Sequence, residues 1–501
     1  MPTLTTIKNL FVQAKNISKP TILNNTQVNG WVKSVRNLKH ITFVDISDGT
    51  TSSNLKIVIP KLQNISPLKM GESVKIINPE LIPTANKREQ LFEVKIHNGG
   101  SDSNDNNLSQ LIKLGSIDPA TYPLQKKQLG LNYLRNTAPQ YKFKTDYLSS
   151  MMRFRSFIEL QIFKTMDEMG YIKVSPPIIT GSDCEGAGEL FELLPRGYFK
   201  KTSAPISQGT PALSNSYLTV STQLHLEVLA QSLSSVYTLT PCFRAEKSDT
   251  NRHLSEFWMM ELETCFIEDI HELCGITQSI LKEVIKNCIP HYEELLPNMK
   301  PLDIDGGSTK MDKKKILDSW ENLVKNKWPI VTYTEVINIL NRKIKESKVQ
   351  FFKYNNGKEV QWGDDIHSEY EKWLAGEYFA SPVFVIDYPK NIKAFYMKQN
   401  TPDNKTVSCF DLLVPEIGEI VGGSMREDRY DVLLKEMEAR GMSSNSDPSL
   451  KWYLDLRMNG TVPHGGFGLG IERFVTYLFG GHNNIKDAIP FYRVANGPID
   501  I

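Results

Sequence analysis

The stretch from Cys242 to Glu263, CFRAEKSDTNRHLSEFWMMELE, constrains the fold more than any other part of this 501-residue chain. Residues of alternating character flank the polar segment 247–251, which predicts two antiparallel strands joined by a loop. Such a hairpin brings cationic, aromatic and acidic side chains to one surface: Arg244, Glu246, Arg252, His253, Phe257 and Glu261. This surface suits a ligand that carries phosphates, a flat ring and hydrogen-bond donors. The hairpin suggests a nucleotide but leaves the reaction open.

The bulk composition is that of a globular protein with two or more domains. Hydrophobic residues make up 40% of the chain and charged residues 23%, both ordinary values. Since no apolar run approaches the roughly 18 residues needed to cross a bilayer, we expect no membrane protein. The six cysteines show no CxxC spacing. We therefore expect reduced core cysteines, an intracellular compartment and no zinc site.

The charge is distributed unevenly along the chain. Residues 1–97 contain 13 Lys and Arg against 6 Asp and Glu, whereas the remainder contains 45 against 51. A basic front end suggests a polyanionic partner, although a solvated basic face is an equally good interpretation. Residues 1–26 are predicted to be an N-terminal extension. Their acid-poor, arginine-free start is compatible with a weak mitochondrial transit peptide.

Short alternating segments dominate residues 27–97. Five predicted strands in about seventy residues favour a small Greek-key barrel of the OB type. Residues 98–140 are predicted to be a linker or hinge region, because their first part is rich in Gly, Asn and Ser.

Residues 141–501 are predicted to form an α+β domain with an antiparallel sheet. Apolar residues spaced by three or four predict a helix over 146–169. Strands and helices then interleave without a βαβ rhythm. The predicted strands are 217–222, 235–245, 255–266, 382–387, 407–414 and 417–423.

Three further motifs carry candidate chemistry. In DCEGAGELFEL, Glu185 lies in a Gly-rich loop whose carboxylate suits an ammonium group, unless the loop is a plain turn. In FDLLVPEIGEIVGGSMRED, Asp411 and Glu419 lie on adjoining strands, where two acids suit Mg²⁺ or form part of a structural ion pair.

The motif VPHGGFGLGIERFVTYLFGG is a glycine-dense strand that runs into a helix. Its glycines, Gly470 among them, permit close backbone approach, and the helix start favours phosphate near Arg473. A dinucleotide fingerprint is not indicated, because the spacing and the position in the chain are wrong for one.

In this order, the motifs resemble the three signature motifs of class II aminoacyl-tRNA synthetases. The asparaginyl, aspartyl and lysyl subgroup is the most similar, and within it the asparaginyl enzymes of bacterial or organellar type. SDCEGAGELF, TVSTQL, the hairpin stretch, KNIKAFYM, EIGEIVGGSMRED and TVPHGGFGLGIERF carry the resemblance, which extends from about residue 27 to 493.

The resemblance implies ATP-dependent ligation of asparagine to tRNA(Asn) through an asparaginyl-adenylate. Arg244 would grip the α-phosphate, while Glu419 and Arg473 complete the catalytic set. The implied ATP-binding residues are Arg244, Glu246, Arg252, His253, Phe257, Glu419, Gly470 and Arg473. Asp411 and Glu419 would hold Mg²⁺.

The implied asparagine-binding residues are Glu185, Gln223, Glu227 and Arg426. An aspartyl enzyme of the subgroup would carry lysine at the position of Leu226. From the sequence we expect Glu227 to face the pocket, accept from the asparagine amide and repel aspartate; the alternative is an ordinary helix-surface acid.

In the barrel, the resemblance places Phe43 against an anticodon base, with Arg36, Gln90 and Glu93 beside it; burial of Phe43 in the barrel core is the alternative. Pro177 matches the proline of the first motif, which implies a homodimer. The expected location is the mitochondrial matrix, with the cytoplasm as alternative. The rival functions are an aspartyl-tRNA synthetase, a related asparagine synthetase and an RNA-binding paralogue without catalysis.

Overall fold

The computed structural model describes residues 2–61, 66–84, 91–97, 108–124, 129–181, 190–193, 216–248, 250–297, 302–304, 307–309, 312–347, 351–402, 404–442, 450–480 and 484–497. The chain divides into two compact units. The first contains Met1–Arg153 and His291–Met311, and the second contains Phe154–Pro290 and Asp312–Ile501. None of the described helices is both long and apolar enough to cross a bilayer.

Nine described strands of the first unit form one sheet, in the order β2-β7-β8-β5-β4-β3-β6-β9 with β1 beside β3. Buried and half-buried residues alternate along these strands, so that one face builds the core of an OB-type barrel. The strands are β1 (Thr3–Thr5), β2 (Thr21–Ile22), β3 (Thr26–Asn37), β4 (Ile41–Ser47), β5 (Leu55–Pro60), β6 (Ser73–Ile77), β7 (Glu80–Pro83), β8 (Phe92–Lys95) and β9 (Gln110–Gly115). The helices of this part are α1 (Ile7–Gln13) and α2 (Leu131–Asn136).

The N-terminal residues belong to the barrel, and the prediction of an extension over residues 1–26 is wrong. Strand β1 pairs in parallel with β3. Helix α1, capped by the Thr6 hydroxyl, buries Ile7 and Leu10 completely in the barrel core. The apolar spacing of this short helix resembles that of a transit peptide, but here it serves tertiary packing.

The barrel also extends beyond residue 97. Strand β9 pairs with β6 and places Leu111 in the core, so part of the predicted linker 98–140 is barrel. Its Gly/Asn/Ser-rich portion, 98–107, lies outside the described residues.

The second unit is built on a sheet with the strand order β10-β14-β15-β22-β21-β20-β19-β18 among the described residues. Only its two outer pairs, β10 with β14 and β18 with β19, are parallel. The strands are β10 (Ile172–Lys173), β14 (Ser235–Phe243), β15 (Glu256–Cys265), β18 (Ile330–Thr332), β19 (Val383–Ile386), β20 (Cys409–Val414), β21 (Gly418–Met425) and β22 (His464–Gly470). The predicted α+β class is confirmed.

The remaining strands and helices follow in chain order, and those within His291–Met311 belong to the first unit. The small strands are β11 (Ile179–Thr180), β12 (Glu192–Leu193), β13 (Ser216–Leu218), β16 (Leu302–Ile304) and β17 (Gly307–Thr309). The helices are α3 (Asp146–Glu168), α4 (Gln223–Leu233), α5 (Ile270–Cys288), α6 (Tyr292–Leu295), α7 (Lys313–Lys325), α8 (Tyr333–Glu346), α9 (Ser368–Trp373), α10 (Tyr430–Ala439), α11 (Lys451–Met458) and α12 (Ile471–Phe479). The strand predicted over 217–222 is shorter, because the chain leaves β13 after Leu218 and begins helix α4 at Gln223.

Candidate active site

The predicted hairpin is present. Strands β14 and β15 pair in register from Ser235 opposite Thr264 to Phe243 opposite Glu256. The pairing continues at Arg244, whose backbone N–H donates to the Ser255 carbonyl at 3.0 Å. A cavity of about 270 Å³ opens on this hairpin and on strands β20, β21 and β22. The lining residues fall into two groups, which we call the phosphate end and the amino-acid end.

The phosphate end is defined by Arg244, Glu246, Arg252, His253, Glu419 and Arg473. The guanidinium of Arg244 lies 5.5 Å from the Phe257 ring centre and 3.9 Å from the Glu246 carboxylate. On the loop, Arg252 donates through Nη2 to Glu371 at 3.0 Å. Both arginines line the cavity and contact a carboxylate that an arriving phosphate would have to displace or share.

His253 is held in its neutral form at this end. Burial lowers the pKa of the imidazole, and the cations Arg473, Arg252 and Arg244 lower it further, although Glu246 opposes them. Its Nδ1 lies 2.7 Å from the Thr250 hydroxyl and 2.9 Å from the Ser248 hydroxyl. A phosphate placed beside the ring would favour the imidazolium.

The carboxylates of Asp411 and Glu419 converge above Gly422. A Cβ atom at Gly422 would lie 3.2 Å from Glu419 Oε1 and 3.7 Å from Asp411 Oδ1. Lys393 already binds Asp411, with Nζ 2.7 Å from Oδ2. Burial raises the pKa of Asp411 against the opposing charge of Lys393, whereas Arg473 and Lys393 lower the pKa of Glu419 against the effect of burial.

This pair of carboxylates fits a magnesium ion that is shared with phosphate oxygens. Mg²⁺ is commonly held by one or two carboxylates together with substrate phosphates. The described residues contain no cluster of three or more His, Cys, Asp or Glu side chains that would form an all-protein metal cage. The two carboxylates over the open face of Gly422 thus suit a metal that arrives with its nucleotide.

The amino-acid end is defined by Ser221, Gln223, Leu226, Glu261, Tyr396 and Arg426. Glu261 follows Phe257 by four residues on β15, so strand alternation directs both side chains to the same face. Its carboxylate accepts from the backbone N–H of Thr222 at 2.9 Å and from the hydroxyls of Ser221 and Thr222. From the sequence, Glu261 was expected on the hairpin surface, without a role.

Arg426 is clamped at this end by Glu263. Its Nη2 and Nε donate to the Glu263 carboxylate at 2.8 and 3.1 Å, and its Nη1 donates to the Ser424 hydroxyl at 2.7 Å. The glycine-dense strand β22 makes this possible, because a Cβ atom at Gly466 would collide with the Glu263 carboxylate and lie 2.9 Å from Arg426 Nη2. The bidentate pair fixes the guanidinium plane before any ligand arrives.

Glu227 does not line the cavity, which contradicts the prediction that it faces the substrate. Its carboxylate is fully buried behind Gln223. Arg457 Nη2 donates to it at 2.6 Å and the Tyr453 hydroxyl at 2.9 Å, while His464 Nε2 lies 3.1 Å away. Helix α4 presents Gln223 to the cavity and directs Glu227 into the protein, toward helix α11.

Eleven predicted residues line the cavity together. They are Gln223, Arg244, Glu246, Arg252, His253, Phe257, Asp411, Glu419, Arg426, Gly470 and Arg473. Glu185 lies outside the described residues, as does Gln90 of the barrel. Lys393 and Tyr396 also line the cavity but were not predicted from the sequence. Both belong to the stretch KNIKAFYM that carries the resemblance, which was the one available signal.

The predicted barrel residues share one face. Arg36 lies opposite Phe43 across β3 and β4, with its guanidinium 5.1 Å from the ring centre. Phe43 is half-buried and is not part of the barrel core cluster, so the core alternative is not supported. The row continues through Val58 on β5 to Lys95 on β8, and Glu93 lies two residues from Lys95 on the same side.

Comparisons with known proteins agree with this geometry. Residues 132–495 match the family model "tRNA synthetases class II (D, K and N)". The chain is 48% identical to a mitochondrial asparagine–tRNA ligase of Saccharomyces cerevisiae, over 99% of this chain and 96% of the relative. It is 39% identical to an asparagine–tRNA ligase of Microcystis aeruginosa, over 93% and 94% of the two chains.

Among solved structures, the chain is similar to asparaginyl-tRNA synthetase from Pyrococcus horikoshii in complex with asparaginyl-adenylate. The TM-score is 0.74 with 29% identity, and the match covers 96% of each chain. The match spans the barrel, the sheet and the cavity alike. The chain therefore belongs to the class II aminoacyl-tRNA synthetases, in the group that comprises the aspartyl, lysyl and asparaginyl enzymes.

Proposed function

We propose that this chain is an asparagine–tRNA ligase, which activates asparagine with ATP and transfers it to tRNA(Asn). The observation that carries the proposal is one cavity with two chemically different ends. Arginines, a neutral histidine and two converging carboxylates form the phosphate end, and a clamped arginine beside a buried carboxylate forms the amino-acid end. The relatives named asparagine–tRNA ligase support the same activity.

The first step is attack of the asparagine α-carboxylate on the α-phosphorus of ATP, with pyrophosphate leaving. Arg244 neutralises the reacting phosphate, and Arg252, His253 and Arg473 bind the outer phosphates and the nucleotide. The chemistry needs alignment and charge neutralisation rather than a nucleophile from the protein. Mg²⁺ held by Asp411 and Glu419 would screen the charge of the phosphates.

The second step transfers the aminoacyl group to the 3′ end of the tRNA. A ribose hydroxyl attacks the carbonyl carbon of the adenylate, the bond to phosphate breaks, and AMP leaves. Both steps use the same cavity, so the clamped amino-acid end holds the asparaginyl group throughout.

Asparagine is preferred over aspartate because, among the described residues that define the amino-acid end, Arg426 is the only cation. Leu226, at the position where an aspartyl enzyme would carry lysine, lines the cavity as a buried apolar side chain. The carboxylate that lines the cavity at the amino-acid end is Glu261, which takes the role first expected of Glu227. It attracts the amide NH₂ of asparagine and repels the carboxylate of aspartate.

Pyrophosphate–ATP exchange with each amino acid tests this proposal. We expect exchange with asparagine to exceed exchange with aspartate by at least about 10²-fold, because the wrong ligand leaves buried polar groups unpaired. Equal or faster exchange with aspartate would overturn the asparagine assignment. No exchange with any amino acid would favour the RNA-binding paralogue.

We further propose that the barrel face with Arg36, Phe43 and Glu93 binds the anticodon. An exposed arginine stacked near a half-buried aromatic ring is a suitable platform for an unpaired base. Phe43→Ala should weaken tRNA binding by about 1–3 kcal/mol and leave tRNA-free exchange unchanged. A loss of exchange, or a lower melting temperature, would mean that Phe43 serves packing instead.

A homodimer is supported by an apolar groove of about 710 Å³ around the proline of the first motif. Pro176, Pro177, Leu224, Leu229 and Trp452 line it. Ile179, which also lines it, is 62% exposed and adds to the apolar surface of this groove. Light scattering should give twice the chain mass of 56.9 kDa, and Ile179→Asp should shift the distribution toward monomer.

We propose the mitochondrial matrix as the location, because relatives from S. cerevisiae and Schizosaccharomyces pombe are named mitochondrial. Residues 1–20 cannot be deleted to test this, since Ile7 and Leu10 are core residues. A suitable probe is a separate fusion protein in which residues 1–20 precede a reporter protein. If both the reporter fusion and the full-length protein were found in the cytosol, the proposal would be contradicted.

A further inference from the structure

Behind the amino-acid end, the Glu227 carboxylate is surrounded by hydrogen-bond donors. Oε2 accepts from Arg457 and lies near His464, Oε1 accepts from Gln223 Nε2 at 3.1 Å, and the Tyr453 hydroxyl lies 2.9 Å from both oxygens. Burial opposes ionisation, but the charge of Arg457 and the contacts of His464 hold the pKa of this carboxyl well below its usual range. Glu227 is therefore an acceptor that cannot donate.

This fixes the orientation of the neighbouring amide. Gln223 belongs both to the cavity wall and to the Glu227 contact. Because a carboxylate only accepts, the NH₂ of Gln223 must face Glu227. The other end of the amide is then an oxygen, and it accepts no hydrogen bond from any residue within the described ranges. This oxygen is available to a ligand in the cavity.

We propose that Glu227 is a positioning residue, which holds the amide of Gln223 so that the cavity presents its oxygen to an N–H donor of asparagine. The inference rests on the proposed function. It does not require Glu227 to act through Arg426, because that guanidinium is 3.9 Å from Glu227 but 2.8 Å from Glu263. The path from Glu227 to the substrate runs through Gln223.

The geometry specifies what Glu227→Gln would do. The new side-chain oxygen should stay with Arg457, where Oε2 lies, because the guanidinium donates an N–H at this point. The new NH₂ then takes the place of Oε1 and faces Gln223. Two NH₂ groups cannot pair, so Gln223 flips and turns its own NH₂ toward the cavity. The substrate meets a donor where it needs an acceptor.

Asparagine-dependent exchange kinetics test this directly. In Glu227→Gln, we expect the KM for asparagine to rise about tenfold or more, with kcat and the KM for ATP within about twofold of the wild type. The matched control is Tyr453→Phe, which removes another donor to Glu227 and leaves the Gln223 contact in place. Its KM for asparagine should remain within about twofold of the wild type.

The decisive variant is the swap Gln223→Glu with Glu227→Gln. Here the amide NH₂ at position 227 donates to a carboxylate at 223, which again presents an oxygen to the cavity. We expect the swap to recover a KM for asparagine near that of the wild type, which a merely structural role of Glu227 would not allow. The swap keeps the total charge of the pair, so it also serves if Glu227→Gln fails to fold.

A swap variant that folds but keeps a tenfold higher KM for asparagine would overturn the inference. So would an equal rise of the KM for ATP in Glu227→Gln. Wild-type exchange separates this result from the broader question: if the wild type does not use asparagine, the proposed function fails, whereas an active wild type with an unrescued swap removes only the role of Glu227.

Discussion

The two ends of the cavity differ in how their charged side chains are paired. At the amino-acid end, Arg426 meets Glu263 at 2.8 Å, and the exposures of the two side chains are 4% and 0%. At the phosphate end, Arg244 and Glu246 are 3.9 Å apart with exposures of 33% and 29%. The first pair is bidentate and buried, whereas the second is longer and partly exposed to solvent.

The difference follows from what each end must do. A side-chain pocket that separates asparagine from aspartate needs groups that cannot rearrange to suit the wrong ligand, and buried bidentate pairs meet this need. A site for a triphosphate must release its own anions when the phosphates arrive. Because solvent-exposed ion pairs contribute little free energy, replacing their carboxylates by phosphates costs little.

The largest expected effect lies at the phosphate end. Arg244→Ala should lower the exchange rate by about 10³-fold, because it removes charge from the reacting phosphate. The fold should persist, since the Arg244 side chain is one-third exposed. The matched control is Arg342→Ala, at an exposed position on helix α8 outside the cavity. Exchange within about tenfold of the wild type would contradict the assigned role of Arg244.

The next largest effect is on thermal stability, which should respond differently to substitutions at the two ends. Arg426→Lys keeps the charge but loses the bidentate contact with Glu263, and should lower the melting temperature by several degrees. Arg473→Lys, where Nη1 lies 3.5 Å from Glu419 Oε2 and both side chains are partly exposed, should change it by about 1 °C or less. Thermal unfolding of both variants provides the measurement. Equal shifts would mean that the two ends are equally rigid.

The smallest effect concerns His253 and pH. Since the folded-state pKa of His253 is lowered by burial, the unfolded chain binds a proton below about pH 6.5 that the folded chain does not. Its contribution to stability is present above that pH and is lost as the pH falls. The melting temperature of His253→Gln should therefore fall less than that of the wild type between pH 7.5 and 5.5. A larger loss in the variant would contradict the sign.

Most of the cavity was predictable from short-range pattern. Strand alternation placed Arg244 and Phe257 on one hairpin surface, and the switch from a glycine-dense strand to a helix placed Arg473. Glu227 was misplaced because it lies one helical turn after Gln223, which predicts a shared face. The residue that draws it inward is Arg457, which is 230 positions away in the chain and has no local signature.

The N-terminal misassignment has the same origin. Nothing local in residues 3–14 distinguishes a barrel element from an extension, because their partners are distant. Ile7 donates its backbone N–H to Asp48 at 2.7 Å, and Thr3 pairs with Thr26. The sequence shows that this segment is poor in acids, but only the closed barrel shows which surface covers it.

The barrel can close only after strand β8 has been synthesised, which delays one contact of helix α1. Phe11 of helix α1 packs on Phe92, with ring centres 5.5 Å apart. At a synthesis rate of about 5–20 residues per second, the ribosome needs roughly 4–16 s to supply this partner. Until then helix α1 lacks this aromatic contact, although Thr26 and Asp48, the partners of Thr3 and Ile7, are synthesised earlier. After the barrel closes, Ile7 and Leu10 are buried in its core. A receptor that recognises this segment must therefore bind it before the barrel has folded.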